Sequence, residues 1–457
     1  MSHLGNMRDK ILEWLDNYPF IEELSEYVNL PSRSSRSEEV LIASNFAVDL
    51  MEKCGLGNIK RIKTEGNPVI YGEIGSGERS VLIYGHYDVQ PEGDLDLWES
   101  PPFAAERRGD KLYGRGTADN KGQHYAQLLA IRFLNENYPE IFESVRVKLI
   151  LDGDEERSSF TLPSVLSSHK DLFTADFVYA SDGPSLVTDR PTIVGAVRGI
   201  IDFQLVIRHS GEDLHSGNFG GVARSSTRDL VALLNSMVAM DGRVLVEGFY
   251  SEVDPPQEVE SAALDRLHEV IDGIIQQREI TPAPVMEGKS HPFQNQMYPT
   301  MNINGLRAGG VGEERRTIIP SVAIASVDCR LVPSMDPEIT MERIRRHVEK
   351  WSEEHSIPVS IEFGGAMKPT RSSLLSPWAD LARRALLTGF GVEPVLVPRL
   401  GGSLPLQSFP EILGMDVILV PYALPDENNH APNENLDIPY FRSGVVSTAA
   451  LLQILSQ

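Results

Sequence analysis

The sequence is poor in cysteine and lacks long apolar runs. Only Cys54 and Cys329 occur among 457 residues, too few for a disulfide framework or a thiolate metal cluster. This usage is typical of a reducing compartment, so we expect a cytoplasmic protein. The first twenty residues, MSHLGNMRDKILEWLDNYPF, are interrupted by charges too often for a signal peptide, and no later run approaches the about 20 apolar residues of a membrane span. The sequence leaves open whether the six residues before Met7 are native.

Basic charge is also scarce. There are 42 lysines and arginines against 65 aspartates and glutamates, which gives a net charge of -23. Such an acidic surface repels both nucleic acid and anionic lipid, so we expect neither as a partner. The 41% of hydrophobic and 23% of charged residues are typical of a globular protein. The length suffices for about two or three domains.

The first part of the chain alternates short apolar runs with helical patterns. The runs SVLIYGHYDV, VRVKLILDGDEE and FVYASDG are separated by patterns such as residues 120–135. This alternation predicts an α/β fold with a mainly parallel sheet and helices on its faces. In such sheets ligands bind at the carboxyl ends of the strands. All three runs carry acidic residues or histidine there.

The pattern changes from about Gly199 to strands of alternating polarity. IIDFQLVIRH, MNINGL, SVAIASVDCRLV and PVSIEF predict four strands, and residues 223–240 and 336–355 predict two helices. We expect a four-stranded antiparallel sheet with the two helices on one face, which is an α+β domain. Residues 243–297, rich in proline and glutamate, interrupt this pattern as an excursion.

After Gly365 the βα pattern of the first part returns. Residues 376–389 and 441–455 predict helices, and PVLVPRL and DVILVPYAL predict strands. We therefore predict a first domain formed by residues 1–198 and 366–457, with a second domain, residues 199–365, inserted into it.

The stretch VKLILDGDEERSS, residues 147–159, gathers four carboxylates at one strand end. Apolar residues lead directly into Asp152, Asp154, Glu155 and Glu156. Like charges this close repel one another unless a cation joins them. The stretch alone is also compatible with a solvated acidic turn.

Three other segments carry candidate metal ligands, each with an ordinary alternative. His86 and Asp88 in GHYDV share one face of a strand, where Asp88 can accept a hydrogen bond from a metal-binding imidazole, but taken alone the pair favours a histidine that caps a strand and bonds its neighbour. Asp119 in GRGTADNKG also fits a helix N-cap. Asp182 in ASDGP also fits a plain turn.

Taken together, these segments favour metal binding. NNHAPNE adds His430 after a fourth apolar run, and four independent ordinary explanations would have to coincide. Two imidazoles and three carboxylates suit two divalent ions about 3.5 to 4 Å apart, bridged by one carboxylate. In this interpretation a metal holds Glu156, and Glu155 is free to act as a base.

The motifs GHYDVQP, LYGRGTADNKG, DGDEE, ASDGP and NNHAPNE, in this order and spacing, resemble the dimetal peptidase family of carnosinases, cytosolic nonspecific dipeptidase, aminoacylase and desuccinylases. The resemblance covers nearly the whole chain. It implies a catalytic first domain, an inserted lid and dimerisation domain, and a cis peptide bond after the bridging aspartate. The implied roles are His86, Asp119 and Asp182 around one ion, Asp119, Glu156 and His430 around the other, Asp88 as the residue that orients His86, and Glu155 as the general base.

Further motifs resemble the substrate contacts of carnosinase-like dipeptidases. By the same resemblance, an aspartate rather than a glutamate at position 182 occurs mainly in amino- and dipeptidases. Taken alone, an arginine such as Arg330 fits a surface ion pair and a serine such as Ser403 fits a loop hydroxyl. The residues concerned are His215 in HSG, Thr317 in RRTIIP, Arg330 in DCRLVP, and Gly402 and Ser403 in LGGSLP.

The resemblance implies hydrolysis of dipeptides or short peptides with a free carboxyl end. Arg330 would bind the substrate carboxylate, and His215 would stabilise the oxyanion. We expect two divalent ions per subunit, zinc first, with manganese and cobalt left open because mixed imidazole and carboxylate ligation accommodates all three. We also expect a homodimer through the inserted domain, in which the partner supplies His215 and Thr317.

Two other functions stay open at this point. One is hydrolysis of N-acyl amino acids by an amidohydrolase on the same scaffold. The other is a metal-dependent binding protein without activity, against which Glu155 argues, because a binding site has no need of an acid beside its ligands. The sequence does not name the side-chain preference of the substrate.

Overall fold

The chain divides into two compact units in a computed structural model that describes residues 2–372 and 374–457. Among the described residues, the first unit comprises those within 1–195, 371–398 and 405–457, and the second comprises residues 196–370 and 399–404. Met1, one of the six residues whose origin the sequence leaves open, lies outside the described residues.

The unit to which residues 399–404 belong differs from the sequence-based prediction, which places them in the last part of the first domain. They group instead with the inserted unit. The backbone gives the reason, because the amide of Leu400 donates to the carbonyl of Ala196 at 2.8 Å and the amide of Arg198 donates to the carbonyl of Gly402 at 3.2 Å. Two of the predicted substrate contacts, Gly402 and Ser403, therefore belong to the second unit.

The first unit is built on an eight-stranded mixed sheet. Its central neighbours run parallel, whereas the first two strands in chain order add an antiparallel edge. Central strands such as Arg79–His86 are buried on both faces, as expected for a parallel sheet covered by helices. The order across the sheet is Gly57–Ile62, Val69–Ile74, Val145–Asp152, Arg79–His86, Phe177–Ala180, Asp416–Leu419, Thr192–Val194 and Val395–Val397.

Helices cover this sheet, and the core of the unit lies between them. Two long helices, Pro377–Phe390 and Ile438–Leu455, begin with a polar cap followed by proline: Ser376 accepts from the amide of Ala379, and Asp437 from the amide of Tyr440. The helices are Ser2–Asn17, Phe20–Val28, Ser37–Lys53, Gly122–Asn137, Ile141–Ser144, Leu162–Ser168, Lys170–Phe173, Pro377–Phe390 and Ile438–Leu455.

The helix Ile438–Leu455 is the one described helix that is long and apolar enough to cross a membrane by length and composition. Within the unit, however, 78% of it is buried. A core helix passes the same test, so this helix is weak evidence for a membrane span.

A small three-stranded sheet joins distant parts of the first unit. Its order is Asn435–Asp437, Lys111–Tyr113 and Glu106–Arg108, all antiparallel. The pairing of Asn435 with Tyr113 brings the segment after His430 beside the loop that leads to Asp119.

The second unit contains the predicted four-stranded antiparallel sheet. Its order is Thr300–Arg307, Val322–Leu331, Gly199–Arg208 and Val359–Met367. The strand Gly199–Arg208 alternates as its sequence predicts, with Ile201, Phe203, Leu205 and Ile207 buried and Asp202 exposed. This one-sided pattern is typical of an antiparallel sheet with one face on the core.

Two amphipathic helices, Ser226–Met237 and Pro337–His355, pack on the buried face of that sheet. The prolines and glutamates of residues 243–297 form an excursion that contains the shorter helices Glu258–Asp265 and His268–Gln277. A short ribbon pairs Leu214–His215 with Ile318–Ile319 and continues into the helix Ser216–Phe219.

Candidate metal centre and active site

The predicted ligands follow neighbouring strands of the main sheet. His86 ends its strand opposite Asp152, and Tyr84 of the same strand lies opposite Ala180. Because these strands run parallel, their carboxyl ends meet at one edge of the sheet. Glu155, Glu156 and Asp182 follow immediately in the chain and therefore lie at that same edge.

Asp119 reaches this edge on an irregular helical turn, Thr117–Lys121. Gly116 precedes it with φ +90°, a left-handed conformation that a side chain would disfavour. The peptide bond between Asp119 and Asn120 is cis. The side chain of Asn120 accepts a hydrogen bond from the amide of His86 at 3.3 Å and donates to the carbonyl of Ser181 at 2.7 Å, which holds the turn against two strand ends.

The side chains form two groups that share Asp119. One group is His86, Asp119 and Asp182, and the other is Asp119, Glu156 and His430; within each, the potential ligand atoms lie within 4.8 Å of one another. Oδ1 of Asp119 is 3.0 Å from Nε2 of His86, and Oδ2 is 3.0 Å from Nε2 of His430. Asp119 therefore turns one carboxylate oxygen to each group, the arrangement of a bridging ligand.

The donor atoms of the two groups are arranged for binding cations rather than for hydrogen bonds among themselves. Oδ2 of Asp182 is buried and has no hydrogen-bond partner among the described residues; it lies 3.8 Å from Nε2 of His86. A buried carboxylate oxygen without a partner is costly. Imidazole and carboxylate donors in this mixture suit divalent transition metals.

The pKa values of the two histidines also indicate a site for cations. Burial lowers the pKa of His86, but the carboxylates of Glu155 and Asp182 raise it more, so this pKa lies well above its usual range. Hydrogen bonds with Asp119 and Glu156 raise the pKa of His430 to about 11. The site thus has an excess of negative charge that stabilises a cation at both positions.

Asp88 does more than orient His86. Its Oδ1 lies 3.3 Å from Nδ1 of His86, which also lies 3.0 Å from the backbone carbonyl of Asp88. The same carboxylate accepts the amides of Glu155 and Glu156 at 3.2 and 3.1 Å. Asp88 therefore fixes both the imidazole and the loop that carries the two glutamates, and nothing in the sequence pattern signals this second role.

Glu155 lies beside the two groups. Its Oε2 is 3.8 Å from Nε2 of His86, and the residue is 8% exposed. Burial raises the pKa of Glu155 well above its usual range, and Asp182 and Glu156 raise it further against the lowering effect of His86. A carboxyl group with a raised pKa can exchange a proton near neutral pH.

Glu156 is held by Gln90, which the sequence analysis missed. The amide of Gln90 donates to Oε1 of Glu156 at 3.1 Å, and its side chain donates to Oε2 at 2.9 Å. Oε2 also lies 3.2 Å from Nε2 of His430. Gln90 follows GHYDV directly, so its position beside the histidine motif is the only sequence signal for it.

The other two acids of VKLILDGDEERSS serve the loop itself. Asp152 accepts hydrogen bonds from the hydroxyl of Ser159 and from the amide of Asp154. Asp154 accepts from the amide and side chain of Asn67, both at 2.7 Å. Of the four carboxylates, Asp152 and Asp154 thus accept hydrogen bonds from neighbouring protein groups, and Glu156 lies in a ligand group. Glu155 does neither within the part of the chain that the structure describes.

In the second unit, His215 lies on the ribbon described above, and Thr317 directly precedes the ribbon's second strand. Both residues are exposed, and the amide of Ser216 donates to the carbonyl of Thr317 at 3.0 Å. Nδ1 of His215 accepts from the amide of Gly217 at 3.1 Å. In neutral His215 the proton is therefore on Nε2, which leaves that nitrogen as a hydrogen-bond donor.

Arg330 and the loop of Gly402 and Ser403 also come together in the second unit. Arg330 donates to Oδ2 of Asp328 at 3.2 Å and to Oγ of Ser403 at 3.1 Å. Arg198, which the sequence analysis missed, donates to the carbonyl of Gly401 at 3.3 Å, and its buried Nη1 has no partner among the described residues. Burial, followed by the neighbouring Arg330, lowers the pKa of Arg198 to about 10.

The sequence pattern of peptidase family M20/M25/M40 matches residues 82–454. The chain belongs to this family and is a metallopeptidase. Both the resemblance inferred from the motifs and the α/β class with its additional antiparallel sheet are thereby confirmed.

Similar proteins cover nearly the whole chain. The human Beta-Ala-His dipeptidase is 28% identical over 479 residues, which cover 98% of this chain and 93% of that protein. The Cys-Gly metallodipeptidase of Candida albicans is 28% identical over 93% of this chain and 92% of its own length. Among solved structures, a M20 family metallo-carboxypeptidase from Sulfolobus solfataricus has a TM-score of 0.85 at 30% identity, covering 96% of this chain and 99% of that one. Human carnosine dipeptidase 1 has a TM-score of 0.81 at 28% identity, with 99% of each chain covered.

Proposed function

We propose that the protein is a metallodipeptidase that hydrolyses dipeptides or short peptides with a free carboxyl end. The observation that carries this proposal is the carboxylate of Asp119, shared between two ligand groups beside the buried acid Glu155. The names of the four similar proteins, three of them dipeptidases and one a metallo-carboxypeptidase, support the same substrate class.

Two divalent ions per subunit would be held by the two groups, one by His86, Asp119 and Asp182 and one by Asp119, Glu156 and His430. Zinc is the proposed metal, and manganese and cobalt suit the same donors. Bound there, the ions would supply Lewis-acid activation of water and of the scissile carbonyl.

Glu155 is the proposed general base and acid. Its carboxyl group lies beside the ligand groups, 3.8 Å from Nε2 of His86, where it can accept a proton from the attacking water and deliver it to the leaving amine. Asp88 keeps Glu155 in place through the Glu155 amide, so the carboxylate does not depend on a flexible loop for its position. His215 is the proposed oxyanion donor, because the hydrogen bond from Gly217 leaves its Nε2 hydrogen free.

The free carboxylate of the substrate is the proposed ligand of Arg330. A guanidinium binds a carboxylate through two parallel hydrogen bonds, and Ser403 already orients this one. Arg198 adds positive charge beside the same loop, and Gly402 and Thr317 are further proposed substrate contacts. Such a clamp would favour short peptides with a free carboxyl end.

The working enzyme is proposed to be a homodimer, formed through the inserted domain, in which His215 and Thr317 of one subunit serve the metal groups of the other. Both residues are exposed at neighbouring positions of the second unit, whereas the ligands flank that unit in sequence. A cytoplasmic location is proposed as well, and it agrees with two free, buried cysteines.

A substrate panel tests the proposed function. Dipeptides, tripeptides and longer peptides are compared with N-acetyl and N-succinyl amino acids, each with zinc, manganese or cobalt added. We expect the highest kcat/KM for a dipeptide. A clear preference for N-acyl amino acids would reassign the protein to the amidohydrolase function, and equal rates for long peptides would remove the restriction to short ones.

A further inference from the structure

Another buried carboxylate, Glu434, lies next to the segment that carries Asp119. Glu434 is fully buried, and so is Arg115, whose Nη1 donates to Oε2 of Glu434 at 2.7 Å. Glu434 follows His430 by four residues, in NNHAPNE, and has no role in the chemistry proposed above.

The hydrogen bonds of Glu434 converge on the segment that carries Asp119. Its Oε2 also accepts the amide of Gly116 at 3.0 Å. Its Oε1 accepts the amides of Ala118 and Asp119, both at 3.0 Å. One carboxylate thus binds three backbone amides and one guanidinium, and charge-assisted hydrogen bonds of this kind are roughly twice as strong as neutral ones.

The backbone of Glu434 strengthens the connection. Its carbonyl accepts the amide of Gly114 at 2.9 Å, and the next residue, Asn435, pairs with Tyr113. Glu434 therefore links the loop of His430 to the turn of Asp119 at both main-chain and side-chain level. These two loops supply two of the three ligands in the second group.

A neighbouring glutamate gives a matched comparison. Glu427 is also fully buried and lies in the same loop region, but its Oε1 accepts the amide of Asp437 at 2.8 Å. This side-chain hydrogen bond goes to the residue that caps the last helix, not to the segment of Asp119. Burial of a glutamate in this region is therefore not enough to place it against Asp119.

We propose that Glu434 is a positioning residue for the bridging ligand: it fixes the backbone of Asp119 relative to His430, so that the two groups form together. The inference rests on the proposed function, because it takes Asp119 and His430 to be metal ligands. In Glu434→Gln one acceptor oxygen becomes an NH₂ group that faces backbone N–H donors, so the turn loses one acceptor oxygen and the negative charge.

The test compares Glu434→Gln with Glu427→Gln in the full chain. Zinc and manganese are titrated into metal-free wild type and both variants by calorimetry, and thermal unfolding of the metal-free proteins is followed in parallel. We expect Glu434→Gln to weaken metal binding by about 10- to 100-fold, as loss of a residue that supports a ligand does elsewhere, and Glu427→Gln to bind as wild type does. The loaded Glu434→Gln enzyme should lose kcat with little change in KM.

A purely structural role would give a different result. Both variants would then unfold at a lower temperature when metal-free, but neither would bind metal more weakly, and that outcome would overturn the inference. If Glu434→Gln does not fold, Glu434→Asp serves instead, because it keeps the charge opposite Arg115 but is one methylene shorter; it should show an intermediate loss of affinity, and wild-type affinity would overturn the inference. Failure of the wild type to bind either metal would reject the proposed function instead.

Discussion

Oδ2 of Asp119 lies 3.0 Å from Nε2 of His430, while the other oxygen of the same carboxylate faces His86. The two residues differ in how many groups they serve, because Asp119 belongs to both and His430 to one. This difference predicts different losses of metal.

We expect Asp119→Ala to lose most of both ions and His430→Ala to lose one ion per subunit. The physical reason is that a bridging carboxylate contributes to both sites. Elemental analysis after gel filtration measures the ratio of metal to protein. His169→Ala, a change at an exposed histidine of the same unit, is the control. Equal metal content in the Asp119 and His430 variants would argue against bridging.

Replacing the proposed base Glu155 should lower the catalytic rate without lowering the metal content. Glu155→Gln is expected to keep its metal and to lose on the order of 10²- to 10⁴-fold in kcat, the usual contribution of a general acid and base. Glu156→Gln is the comparison, since it should lose metal as well. Kinetics and elemental analysis on the same samples check this, and a Glu155→Gln enzyme with near-normal turnover would rule out the assignment.

The carboxylate clamp predicts a substrate-dependent loss. Arg330→Ala should lower kcat/KM for dipeptides by about 10- to 100-fold, since a hydrogen bond to a charged group contributes roughly 1.5 to 3 kcal/mol. Dipeptide amides should lose far less, because they have no carboxylate to bind. Arg208→Ala, at the exposed end of a strand in the same sheet, is the control. Equal losses for the free and the amidated peptides would reject the clamp.

A shared site predicts complementation between two inactive proteins. Glu155→Gln and His215→Ala are mixed under conditions that allow subunit exchange. In a mixed dimer one site would contain both changes and the other neither, so each mixed dimer should regain about half of the wild-type activity. Each variant mixed with itself is the control. If mixing restores no activity, the partner does not supply His215.

Removal of metal should destabilise the fold. Without cations the carboxylates of the two groups repel one another, and a ligand at 100 times its Kd stabilises a folded protein by about 2.7 kcal/mol. We therefore expect a lower Tm after chelation and recovery when the metal returns. The Glu155→Gln protein should show the same shift, because its ligands are intact. An unchanged Tm would mean that the groups hold no metal.

Local patterns in the sequence predicted most elements of both sheets. The run IIDFQLVIRH alternates because one face of its strand is buried, and the continuous apolar run before His86 reflects a strand buried on both faces. Ends of elements were less accurate: the last helix begins at Ile438 rather than 441, because Asp437 caps it with a proline close behind. Side-chain period is a local property, whereas a helix start depends on one capping contact.

The sequence alone also identified the ligand candidates, since several acids and histidines at the ends of parallel strands must come together at one edge. It did not identify the partner of every carboxylate. A buried carboxylate is stabilised by a cation, by backbone amides, or by hydroxyl and guanidinium groups, and the sequence around the carboxylate does not distinguish these partners. Asp154 meets Asn67, and Glu434 meets the amides around Asp119, across 87 and 315 residues of sequence. Only the tertiary structure brings such distant groups face to face, and it thereby decides which acids bind other groups of the protein and which lie in the candidate metal groups.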